Sequence, residues 1–315
     1  MRYERNTSAM IEAALIALVV SVVVFMIRYL PIVGYFTVFV PAMFAVVWVR
    51  HGRHYGVLSV IVSSVISFAM GIPAESLMIL VYGGFVSAAL GEGVRQKLKA
   101  SQTILIGAVG AALSTVVLFG LTELFTGIGM MQIFTEAIEE SKSLIASYNF
   151  DSQMTTDLNE QFDLMVIQFQ NMLPFILIMM GSFTSAVNHW ALVKALKRFK
   201  FEVPETGLFR DFQLPRNVFL GSMIMMVLAW LTGILGHSNS ELLFLNILLV
   251  VVFVFSIQGA AVSIFFMYHY KFPRSAVVAF TTMGILFYSM LQFPLFVLGM
   301  LETIINLRAR MKSNT

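Results

Sequence analysis

The sequence predicts an all-α, polytopic membrane helix bundle of about nine or ten spans, and three observations predict it. Of 315 residues, 58% are hydrophobic and only 12% are charged, roughly half the charged share of a soluble domain. A soluble fold of this size would lack the charge to cover its surface. Several uncharged runs reach the roughly 20 residues that cross a bilayer. Lysine and arginine gather in the short breaks between those runs, as membrane topology demands.

Taken in order, apolar runs between charged punctuation place spans at about 9–27, 33–49, 55–70, 75–94 and 103–126. The first carries Ala9, Ala13 and Ala17 on one stripe, small side chains that let another helix approach closely. Glu12 lies beside the stripe within about one turn of the polar boundary, where an acid reaches interfacial water. This run is longer than a signal-peptide core and lacks a small-residue cleavage site, so it reads as a retained span. Pro31 and Gly34 suit the turn that follows. Pro41 falls inside span two and should distort it, freeing a carbonyl that protein or an aqueous cavity must satisfy. Tyr82, Gly83, Gly84, Ser87 and Gly91 run small residues through span four, consistent with close packing.

Segment 127–171 differs in chemistry, with seven acids against the single base Lys142. Its apolar residues recur at helical spacing, first Met131, Phe134, Ile138, Ile145 and Tyr148, then Leu158, Phe162, Met165, Val166 and Phe169. Asn149-Phe150-Asp151-Ser152 supplies turn and cap chemistry between the two sets. The pattern predicts two amphipathic helices lying over the extracytoplasmic face, and it also fits helical extensions of the flanking spans. Further spans follow at about 172–193, 217–236 and 242–268. The last apolar stretch, 276–307, is 32 residues long and too long for one crossing. Division at Phe293-Pro294 gives two short helices, an even number of crossings and a carboxyl terminus on the amino-terminal side, whereas a single tilted, kinked helix would leave the basic tail outside.

With the amino terminus in the cytoplasm, 18 of the 20 basic residues fall inside, leaving only Arg28 and Lys142 outside. The net charge of +3 therefore reads as inner loops rather than a nucleic-acid surface. His51 and His54 flank Arg53 in one such loop, suited to phospholipid headgroups.

The absence of cysteine excludes disulfides, thiolate metal sites and a cysteine nucleophile. There is no H-E-x-x-H, no G-x-S-x-G and no lysine-bearing phosphate loop, and Gly91-Glu92-Gly93 lacks the third glycine of a dinucleotide fingerprint. An enzyme is not expected, nor a cofactor or metal. Intramembrane polar residues mark functional sites by default, and here they are Asn188, His189, Asn246 and Gln258. Arg28, Glu75 and Glu123 fall near outer helix ends. With Tyr82 they form a candidate site for a small polar solute, although three solvated helix-end charges would look the same.

The alanine stripe, the Pro/Gly turn, the basic Arg50-His-Gly-Arg-His-Tyr-Gly56 loop and Gly-Glu-Gly-Val-Arg95 at the end of span four follow a familiar layout. It resembles that of the membrane-embedded substrate-binding S components of energy-coupling-factor transporters. The whole chain is more specifically similar to the YybS-like bacterial membrane family, thought to be related to those components. The resemblance implies a six-span core over 1–195 that includes the 127–171 insert, a basic cytoplasmic linker over 196–216, and additional transmembrane helices over 217–315. It further implies a small solute held near the outer face. Ala9, Ala13 and Ala17 would dock on a membrane coupling subunit driven by cytoplasmic ATPases. The expectation is a multi-pass protein of the bacterial cytoplasmic membrane, its amino terminus cytoplasmic, that binds or transports a small solute. The alternative is a scaffold or regulator that recruits cytoplasmic partners through its basic loops.

Overall fold

The computed structural model describes residues 2–148, 152–203 and 207–313, and among these every regular element is helical. Eight helices are long and apolar enough to cross a bilayer, and two shorter apolar helices accompany them. The chain divides into two compact units, one of Met1–Gln170 with Ile176–Thr206, the other of Asn171–Phe175 with Gly207–Thr315.

In the first unit, α1 (Arg2–Met26) is followed by a 3-10 stretch, Pro31–Phe39, that runs into α2 (Val40–His51). Next come α3 (Arg53–Ala69), then α4 (Pro73–Met78) and α5 (Gly84–Arg95), joined by a π-turn at Ile79–Gly83. The unit is completed by α6 (Ala100–Thr126), α7 (Met130–Ser147) and α8 (Ser152–Arg198). Ala9, Ala13 and Ala17 are all buried, at 3%, 1% and 0% exposure, and α1 packs on α3. One turn on, the Ser21 hydroxyl lies 3.1 Å from both the Ser63 carbonyl and its hydroxyl. Ser64 and Ser76 pair likewise at 2.9 Å. Small and hydroxylated residues do what large apolar ones do in a soluble core, because helices in lipid gain from close contact and shared hydrogen bonds rather than from expelling water.

The acidic segment corrects one expectation. Its second helix does not lie as a separate element over a face but is continuous with span six. The result is α8, 47 residues and about 70 Å long. The proposed turn at Asn149–Asp151 lies outside the described residues. The apolar faces meet as the spacing predicts, with Phe134 stacked on Phe169 at 4.0 Å between ring centres. The one base is fully employed: Lys142 bonds Glu139 and, on α8, Asp163, each at 2.8 Å. These carboxylates hold its ammonium pKa above the ordinary lysine value.

In the second unit a 3-10 turn at Phe209–Asp211 precedes α9 (Arg216–Ile234), α10 (Ser240–His269), α11 (Arg274–Leu286), α12 (Tyr288–Ile305) and α13 (Leu307–Ser313). The last apolar stretch is two helices, but the break is at Phe287 and not at Pro294, which is carried inside α12. Pro294 costs one backbone donor. Beside it, the Ser256 hydroxyl of α10 donates to the Gln292 carbonyl at 3.1 Å. α10 and α12 run in the same direction, since Ser256 meets Gln292 while Phe265, farther along, meets Arg308. The Arg308 guanidinium in turn bonds the Arg210 and Phe212 carbonyls at 2.7 and 2.8 Å. The end of α12 therefore shares one end of this unit with the segment that leads into α9.

α10 and α12 meet backbone to backbone. A Cβ at Gly259 would collide with the Leu295 carbonyl, and one at Gly299 with the Phe255 carbonyl. Gly259→Leu or Gly299→Leu should each destabilise by about 3 kcal/mol, measured by unfolding in detergent. Gly284→Ala, which meets nothing within 4 Å, should leave stability within about 0.5 kcal/mol.

Candidate functional site

Pro41 cannot donate a hydrogen bond, and the chain around it changes from 3-10 to α-helix between Phe39 and Val40. The side-chain amide of Asn188 on α8 enters the gap. Its Nδ2 donates to the Val38 carbonyl at 2.8 Å, and its Oδ1 accepts from the Ala42 amide at 2.9 Å. Those are the carbonyl and amide that a straight helix would join to each other. Asn188 is fully buried and also donates to the Thr184 carbonyl at 2.9 Å.

The same device occurs in the second unit. Asn246 of α10 donates to the Asn171 carbonyl at 2.8 Å and accepts from the Phe175 amide at 3.0 Å, around Pro174. In both cases proline stands three residues after the bridged carbonyl and one before the bridged amide. Two of the intramembrane polar residues singled out by sequence are thus committed to backbone.

Of the four predicted solute-binding residues, Tyr82 reaches the interrupted region. It sits in the π-turn and is half-buried, beside Thr184 of α8. One turn of α8 therefore presents Thr184 to Tyr82 and Asn188 to the break in span two. Arg28 is exposed and donates to the Gly71 carbonyl at 3.4 Å, which brings it to the loop before α4, where Glu75 lies half-buried. Glu123 is exposed near the end of α6, its carboxyl carbon 3.2 Å from where a Cβ on Gly129 would be. Among the described residues Arg28 forms an ion pair with neither acid. The structure brings Arg28 near the α4 start, sets Tyr82 deeper and leaves Glu123 on its own helix end.

A groove of about 470 Å³ opens beside the break. Phe39, Ala42, Met43 and Val46 form one wall, Ile16 of α1 another, and α8 supplies Trp190, Ala191 and Ala195. At one end stand Glu12, Lys194, Arg198 and Phe199. Glu12 is not a water-facing acid as expected: it pairs with Arg50, and its other oxygen lies 2.8 Å from the His51 ring nitrogen. The Arg50 guanidinium lies 4.3 Å from the Phe199 ring centre. At the same end, Glu92 takes a two-toothed bond from Arg53 at 2.6 and 2.9 Å. The first unit thus collects Arg50, Arg53 and the end of α8 at one end.

Sequence reasoning missed the most buried ion pair. Glu302 and Arg308, 1% and 3% exposed, are joined at 2.8 Å. Gln258 completes this polar centre, donating to the Thr303 hydroxyl at 2.9 Å while accepting from the Leu214 amide at 2.5 Å. Glu302 was legible as an acid within an apolar run. Arg308 falls among the 18 bases that the spacing assigns to the inner side.

A profile of the predicted membrane protein family DUF2232 matches residues 17–303. The chain belongs to this family. It is also 22% identical over 312 residues to the "uncharacterized protein YybS" of Bacillus subtilis (strain 168), covering 98% of this chain and 100% of that one. No solved structure matches. The region matched to DUF2232 contains both prolines, both bridging asparagines and Tyr82, while Glu12 and Arg308 lie outside it.

Asn188→Ala should cost about 2–4 kcal/mol, because it strands one carbonyl and one amide. In a Pro41→Ala background the helix can close its own bond, and the same change should then cost less than about 1 kcal/mol. A double-mutant cycle of unfolding in detergent reads the coupling. Arg308→Met should cost about 3–5 kcal/mol by leaving Glu302 uncompensated. The double variant Glu302→Leu/Arg308→Met should recover most of that loss.

Proposed function

We propose that this membrane protein binds a small solute in its first unit and serves its passage across the bacterial cytoplasmic membrane, with the amino terminus on the cytoplasmic side. The observation that carries the reading is the meeting of two irregular helices on one turn of α8. The proline-broken span two is tied to Asn188, and the π-turn that carries Tyr82 lies beside Thr184. Non-helical backbone at membrane depth occurs where it is buried in protein or lines a cavity, π-turns concentrate at functional sites, and discontinuous spans build many transporter sites. Tyr82 and Thr184 are the polar side chains best placed to hydrogen-bond a ligand. Arg28 and Glu75 would lie on the solute's path from outside.

The relation to S components is part of this proposal. Coupling to a membrane subunit with cytoplasmic ATPases would call on a face of α1 other than the alanine stripe, which is buried within the unit. Met10, Ile11, Leu15 and Leu18, each more than half exposed, form such a face. The scaffold reading rests on a different observation, the exposed Lys194, Lys197, Arg198 and Lys200 at the end of α8.

Purified full-length protein heated with a metabolite panel that includes vitamins tests the solute reading. A ligand at a hundred times its Kd should stabilise by about 2.7 kcal/mol. Tyr82→Phe and Thr184→Val should fold and yet lose most of that shift. A panel without any shift, alongside recovery of only signalling or envelope proteins by crosslinking in cells, would favour the scaffold.

A further inference from the structure

The groove beside span two has two kinds of lining, one apolar and one cationic. Its length, from Phe39 and Ile16 to Val46 and Ala195, is apolar. Its end carries Lys194 and Arg198, both exposed. Among the described residues neither cation forms an ion pair. Lys194 lies 4.7 Å from the ring centre of Trp190, within cation–π range. Glu12, the one acid among the groove's lining residues, is paired with Arg50, so the end is left positive. Trp190 itself is 58% exposed, and an amphipathic ring at a helix end suits the membrane–water boundary.

We propose that this groove holds an anionic phospholipid, one acyl chain lying along Ile16, Phe39, Met43 and Val46, its headgroup phosphate bound by Lys194 and Arg198. Charge decides the class of lipid. A zwitterionic headgroup brings its own cation toward two others, whereas phosphatidylglycerol brings a net negative charge, and each basic residue near an anionic headgroup strengthens binding severalfold. The apolar length decides against a free phosphate, which would leave that wall exposed to lipid or water unchanged. The site goes beyond the solute reading and does not depend on Tyr82.

Full-length protein in detergent, titrated separately with phosphatidylglycerol and with phosphatidylcholine and read by native mass spectrometry, tests the proposal. Phosphatidylglycerol should be retained at least tenfold more tightly, and Lys194→Gln/Arg198→Gln should abolish that preference. Lys197→Gln/Lys200→Gln removes the same charge from exposed neighbours on the same helix end and should leave the preference intact. Both pairs are at exposed positions, so folding should survive. Inorganic phosphate in excess should not displace the lipid. Equal loss in the two pairs would overturn the site in favour of diffuse surface charge. Displacement by inorganic phosphate, or equal binding of the two lipids by the unaltered protein, would also overturn it.

Discussion

A backbone amide or carbonyl left unpaired inside a bilayer costs several kcal/mol, since there is no water to take it. Span two and α8 each carry a proline where one helical rung is open, and each opening is closed by an asparagine from another helix. Asparagine suits the task because its side chain carries one donor and one acceptor group, as a peptide does. The bridge also fixes the helix that supplies it. Asn188 sets the register of α8 against span two and thereby the position of Thr184 opposite Tyr82. Asn246 does the same for α10 at Asn171–Phe175. Much of each unit's geometry follows from these two closures.

The same accounting explains how the remaining polar groups are spent. The serines of α1, α3 and α4 pair across helices. Gly259 and Gly299 let α10 and α12 approach until backbone meets backbone, which in lipid supplies the packing that apolar burial supplies in water. Glu302 and Arg308 are buried together, and the arginine's other donors go to two carbonyls of the segment before α9. That arrangement satisfies the desolvated charges, and it also secures the chain end and that segment as one piece. The positive end of α8 is different in kind. Among the described residues Lys194 and Arg198 have no carboxylate partner, which leaves them available to something outside the protein.

Much of the architecture was legible from charge spacing. Runs between lysines and arginines marked helices that the structure contains, and Pro41 announced a break in span two. The places where the reading failed have a common cause. Pro294 suggested a break that the structure puts at Phe287, because α10 packs along α12 and holds it helical through the proline. The acidic segment left separate helices and extensions of the flanking spans both open, because amphipathic periodicity is the same whether a helix lies alone or extends a span. Glu12 read as a solvated acid because sequence could not show that Arg50 and His51 return beside it. The alanine stripe marked a close-packing face, and the structure turns that face toward α3.

The sequence by itself determined the membrane class, the helical content and the approximate spans, because each depends on local composition and on hydrophobic length. Only the tertiary structure decided which polar residues serve the backbone and which are left free. Asn188, Asn246, Gln258 and Tyr82 look alike in an apolar run. What separates them is whether another helix places an unpaired carbonyl or amide within hydrogen-bond reach, and that depends on helices far away in the chain.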